Sequence, residues 1–179
     1  MSARRLLPYI WTWPLDVLLW LLWILPFWAF WGTNLRWEEG SLAFTFKEDS
    51  WPMRTWYKKW GGTSIGHALM YAPKVKPNAD GTPHRITVHE QFHVKQYESI
   101  TLGAFIWAWV PFTFLAANGL WTSAFVCGIL MWLSATLQHG VGNWTTAWIR
   151  GERAYRDSYH EQSAYAVDFK YTATGKRDT

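Results

Sequence analysis

Two long apolar runs dominate the pattern of this chain. From Leu6 through Leu35 the only Asp, Glu, Lys or Arg is Asp16, and from Ser99 through Ile149 there is none. Each run exceeds the ~20 residues a helix needs to cross a bilayer, so both predict membrane segments. The first, residues 6–31, is interrupted by Pro8, Pro14 and Pro26. It reads as one kinked span or as a short interfacial piece followed by a span, with a helix lying in the interface as the alternative. Its basic start resembles a signal peptide, but the apolar part is long, rich in tryptophan and without a small-x-small cleavage site. Residues 1–31 are therefore expected to stay as an anchor. The second run predicts a helical hairpin over 99–138, turning at "AANG" (Ala116–Gly119), with Pro111 kinking its first arm. The alternative, a buried pair of soluble helices, is unusual for helices apolar on every side.

The remainder, 32–179 with the hairpin included, reads as one domain. Its β part covers 32–83. "LRWEEGSLAFTF" alternates around a Glu-Gly turn as a β-hairpin does, "WGGTSIGHALMYAPKV" reads as a glycine-bounded strand, and "KPNADGTP" as a loop. Residues 84–98 predict a helix. After the hairpin the chain turns polar at Arg150, with a helix expected over 157–169 and the last ten residues as a solvated tail. The fold class is thus mostly α with a small β part.

Composition reinforces the membrane reading. Sixteen tryptophans and an aromatic share of 19% accompany only 17% charged residues, and tryptophan and tyrosine favour the water–lipid boundary. The net charge of +4 fits an anionic membrane face better than nucleic acid. In "RTWYKKW" lysines mix with aromatics, as on a stacking platform for single strands, but an interfacial membrane loop has the same pattern and is preferred. Membrane lipid is the expected partner, and nucleic acid is not. The single cysteine, Cys127, excludes an intrachain disulfide and reads as a packing residue.

Candidate chemistry lies in "HEQFH". On a helix, His89 and His93 share a face and can aim two imidazoles at one ion, while Glu90, rotated about 100°, flanks it. This suits a zinc hydrolase: two neutral nitrogens hold Zn²⁺ and the carboxylate takes a proton from water. The preferred third ligand is Glu161 in "YRDSYHEQSAYAVD". Asp157, Ala164, Tyr165 and Asp168 share its helix face, and Ala164 is small enough for close approach. Asp157 or Asp168 would accept the outer N–H of a ligand histidine. A solvated helix carboxylate is the alternative for Glu161. Tyr165, His160 and Arg156 are candidate donors to a substrate carbonyl. His67 is expected on the "TSIGHALMY" strand, packed or exposed rather than in the site. An apolar hairpin between His93 and Glu161 returns the chain to one side. Nine Lys/Arg in 32–98 and six in 150–179 place that side in the cytoplasm.

"HEQFH", an apolar hairpin and then "EQSA" resemble the membrane gluzincins of the HtpX and CAAX-protease type. The resemblance implies His89, His93 and Glu161 as metal ligands and Glu90 as catalytic base. The chain departs at Tyr165, where that family has aspartate. "SIGHALMY", "HEQFHVKQ" and "GERAYRDSYHEQSAY" are more closely similar to small bacterial and phage-borne zincin-like membrane proteins, over roughly residues 61–168. Ser158 stands for the usual asparagine there and Ser163 for a second glutamate. The implied fold is a membrane-embedded minimal zincin, with the hairpin inserted between the HExxH helix and the third-ligand helix. The expected function is that of a zinc metallopeptidase acting on a peptide or protein substrate. The rival is a membrane or virion structural protein whose zinc site is structural or vestigial.

Overall fold

A computed structural model describes residues 6–55, 57, 60–137, 145, 149–151 and 158–174. Among these, helix predominates and one small sheet is present. An N-terminal helical stretch comprises α1 (Tyr9–Leu19), a π-helical segment (Trp20–Ile24) and α2 (Leu25–Trp31). Then come β1 (Gly32–Glu38), β2 (Ser41–Phe46), the short α3 (Trp51–Arg54), β3 (Gly62–Ile65), β4 (Ala68–Tyr71), α4 (Arg85–Ala117), α5 (Trp121–Leu137) and α6 (Tyr159–Thr174). The chain groups into two compact units.

The first unit is built on Trp13–Lys95 and the chain from Ser163 on. Its sheet has the order β1-β2-β4-β3, with β2 and β4 parallel and the outer pairs antiparallel. The β1–β2 hairpin forms where the alternation placed it. Glu39 and Gly40 both have positive φ (52° and 89°), which two-residue turns between twisted strands require. The expected single strand in "WGGTSIGHALMYAPKV" is instead a second hairpin. Gly66, at φ +57°, reverses the chain and splits the run into β3 and β4. Every residue of β4 is buried, consistent with its position inside the sheet. The core is Phe44, Phe46, Tyr57, Leu69, Met70 and Tyr71, joined by Ile24 from the N-terminal helix and Val94 from α4.

That N-terminal helix is tied to the sheet by the lone charge of its run. Asp16 is fully buried; one carboxylate oxygen accepts the His67 backbone N–H at 3.2 Å and the other lies 2.8 Å from His67 Nδ1. Trp20 Nε1 adds a bond to the His67 carbonyl at 3.3 Å. His67 therefore sits in the β3–β4 turn rather than on a strand, with its Nδ1 directed at Asp16.

The second unit is built on Gln96–Gln162 together with Pro8–Thr12. Pro111 lies inside α4 without ending it. The helix ends at the expected turn: Gly119, at φ +75°, lets the Leu120 N–H reach the Leu115 carbonyl at 2.9 Å. Phe112 of α4 meets Phe125 of α5 edge-on, centroids 6.5 Å apart. Trp132 Nε1 on α5 donates to the Trp11 carbonyl, and Trp11 Nε1 to that of Glu98.

Among the described residues, two helices are long and apolar enough to cross a membrane: the 23-residue stretch Tyr9–Trp31 and α4, whose apolar windows are only 11% and 6% buried. A soluble core helix would be mostly buried. Here Leu22, Phe30, Trp107 and Phe114 lie largely exposed. The apolar part of α5 is shorter, Trp121–Ser134. In the first unit, α6 runs to Thr174, into the expected solvated tail. Tyr171 explains the extension: it is buried and its hydroxyl donates to the Pro83 carbonyl at 2.8 Å.

Candidate metal centre

Helix α4 begins where the sequence places a stop and a cap. Pro83 precedes it, and His84 accepts the Ile86 N–H on Nδ1 at 3.2 Å. From this start His89, His93 and Gln96 recur on one face at helical spacing. The Nε2 atoms of His89 and His93 lie 3.2 Å apart. Two ligands on one tetrahedral cation with bonds of ~2.0–2.1 Å stand ~3.3 Å apart, so the pair already has the separation of two ligands.

Glu161, in the first turn of α6, completes a group. His89, His93 and Glu161 each offer one ligand atom, all within 4.8 Å of one another. His89 and Glu161 are buried and His93 half-buried. Two imidazoles and a carboxylate suit a divalent cation, and burial of a carboxylate favours a charged partner. This group could therefore hold a metal ion.

Other site residues fall as follows. Glu90 is buried beside the start of β3: a methyl group on Gly62 would stand 2.8 Å from Glu90 Cγ and 3.1 Å from its Oε1. Only glycine lets the strand pass this close to the carboxylate. Two buried phenols feel the Glu90 charge. Burial is the main reason that Tyr57 and Tyr71 are held protonated well above the usual phenol range, and Glu90 adds to both. Tyr57 accordingly donates to the Met70 carbonyl at 3.2 Å and Tyr71 to Glu38 at 3.0 Å. Glu38 also accepts from Gln91, the residue after Glu90, at 3.1 Å. Tyr165 packs its ring on His89, centroids 4.9 Å apart. Ala164 is fully buried. His160 is half-buried. Asp168 is buried and acts electrostatically on His84. Asp157 and Arg156 lie outside the described residues, as do Lys58 and Lys59 of the aromatic loop.

The His84 pKa lies below the ordinary 6.5, chiefly from burial and then from Arg85, with Asp168 opposing and Lys74 adding a smaller lowering. The folded state therefore binds fewer protons there than the unfolded chain. His84 takes nothing from stability above pH 6.5. It becomes destabilising as pH falls from that value toward the lowered one. Protonation would also remove the acceptor for the Ile86 N–H. His84→Asn is expected to flatten this part of the stability–pH curve, read as unfolding midpoints of the metal-free protein between about pH 7 and 5. Parallel curves for the two proteins would refute the assignment.

Sequence reasoning did not anticipate the Asp16–His67 pair, the contact of Gly62 with Glu90, or the bonds made by Glu38 and Gln96. Asp16 carried a signal, as the one charge in an apolar run. No family model, curated protein or solved structure matches the chain.

Proposed function

We propose that this protein is an integral membrane zinc metallopeptidase of minimal zincin architecture. One observation carries the reading: the His89 and His93 nitrogens stand 3.2 Å apart, with a Glu161 oxygen within 4.8 Å. Glu90 lies one residue from His89, against the start of an edge strand. Two imidazoles and one carboxylate with a position left open are a catalytic zinc set.

The ion, when bound, supplies a Lewis acid that polarises water and the scissile carbonyl. The rest is work for the chain's own groups. Glu90 takes a proton from the water as its oxygen bonds to the carbonyl carbon, then delivers that proton to the amine as the C–N bond breaks. The Tyr165 phenol, beside His89, donates to the carbonyl oxygen as charge develops, with His160 as the second candidate donor. One edge of β3 pairs with β4, and the other receives an extended peptide by strand addition. Asp168 is the candidate acceptor for the outer N–H of a ligand histidine.

The membrane assignment rests on the exposed apolar helices. Helix α5, at 17 residues, is at the short end of the ~17–25 that span a bilayer. Crossing out on α4 and back on α5 returns Glu161 to the side of His89 and His93. The lysine and arginine distribution supports the cytoplasm as that side.

Metal analysis of the purified protein tests the site. About one zinc per chain is expected for wild type, and a strong loss in Glu161→Ala. Stoichiometric zinc in that variant would remove Glu161 as a ligand.

A further inference from the structure

We propose that Gln96 is a positioning residue for the third metal ligand, acting with Ser158 to fix the first turn of α6. The inference rests on the metal reading above and concerns residues that hold no metal themselves.

Gln96 lies seven residues after His89 and three after His93, so the face of α4 that bears both imidazoles also bears this amide. The amide Nε2 donates to the main-chain carbonyl of His160 at 3.2 Å. That carbonyl belongs to the peptide unit whose nitrogen is Glu161 N. The same nitrogen donates to Ser158 Oγ at 3.4 Å, and the Gln162 N–H reaches the Ser158 carbonyl at 3.0 Å. Ser158 is buried and stands three residues before Glu161, as an N-cap serving the third residue of the helix does. The peptide group immediately before Glu161 is thus held from both ends: its oxygen by Gln96 and its hydrogen by Ser158.

A metal ligand needs this kind of restraint. Glu161 sits in the opening turn of α6, where four N–H groups lack helical partners and the backbone frays most easily. A glutamate has three side-chain torsions, so a loose backbone beneath it would spread its carboxylate over many positions. Clamping the peptide removes the backbone share of that freedom before an ion arrives. One stripe of α4 then organises all three donors, two by ligation and the third through the peptide beneath it. Groups that orient ligands in this way typically set metal affinity by ~10–100-fold.

Gln96→Met keeps the length of the side chain and removes the donor. It is expected to weaken Zn²⁺ binding ~10–100-fold with stoichiometry unchanged at saturation, read by competition with a chromophoric chelator. Its Co²⁺ form should have an altered visible spectrum, because that spectrum follows ligand arrangement, which a loss of packing elsewhere would leave alone. Ser158→Ala removes only the cap and is expected to weaken binding in the same direction. It gives the answer should Gln96→Met fail to fold. Wild-type affinity and an unchanged Co²⁺ spectrum in both variants, while Glu161→Ala loses metal, would overturn the positioning role alone. A wild-type protein that takes up neither Zn²⁺ nor Co²⁺ would overturn the metal reading and this inference together.

Discussion

Glu90→Gln is expected to retain metal at the wild-type level and to lower peptide hydrolysis by ~10²–10⁴-fold. The glutamine is nearly isosteric, so it should fit against Gly62, where no side chain stands in the way, and the surrounding burial should survive. What disappears is the basic oxygen. An amide cannot take the proton of the attacking water or return it to the leaving amine, so the loss falls on kcat. The measurement is turnover of a fluorogenic peptide by detergent-solubilised protein, with metal content determined on the same samples. The result separates two kinds of protein. A structural or vestigial site needs no base, and Glu90 would be replaceable there without consequence. Equal turnover in wild type and variant would sink the peptidase assignment and leave the metal site standing.

Asp16→Ala should produce the largest loss of stability, on the order of 3 kcal/mol. Asp16 and His67 are both essentially inaccessible, and the carboxylate serves two His67 groups at once. Alanine leaves the His67 main-chain N–H and its Nδ1 short of that acceptor in a place water does not reach, and it opens a cavity. Asp16→Asn is expected to cost less, because its amide oxygen still accepts one of the two bonds. Equilibrium unfolding in mild detergent, compared for wild type and both variants, would show the order wild type, Asn, Ala. An Ala variant unfolding at the wild-type midpoint would mean that the pair contributes nothing to holding the helix on the sheet.

What could be read from sequence followed from periodicity and from residues with few conformational options. The β1–β2 hairpin was legible because Glu39-Gly40 interrupts an alternating pattern, and the α4–α5 turn because Asn118-Gly119 breaks an unbroken apolar run. The grouping of His89, His93 and Glu161 was legible because two ligands share a helix face and the third has a small neighbour, Ala164, at helical spacing. The β3–β4 reversal was hidden. Gly66-His67 lies between residues that suit one strand as well as two, and nothing local says that His67 will meet an aspartate 51 positions earlier. The end of α6 was hidden for a similar reason. Its sequence is polar enough for a loose tail, and a tertiary bond, Tyr171 to Pro83, draws it into the helix. In both cases a pairing distant in sequence outweighed a weak local preference.

The junction between α2 and β1 has a mechanical consequence. Trp31 ends the helix and Gly32 begins the strand with no residue between them. A side chain at Gly32 would come 2.7 Å from the Phe44 ring and 2.8 Å from Trp28 Cα, so the corner has no slack. With Asp16 and Trp20 also bonded to His67 of the β3–β4 hairpin, the helix from Trp13 to Trp31 is held to the sheet beside Glu90 at two places. For a helix seated in a bilayer, its depth then becomes a ruler. On the peptidase reading proposed above, that depth would set the height above the lipid at which a bond is cut, and a peptide would be admitted by its distance from the membrane as much as by its sequence.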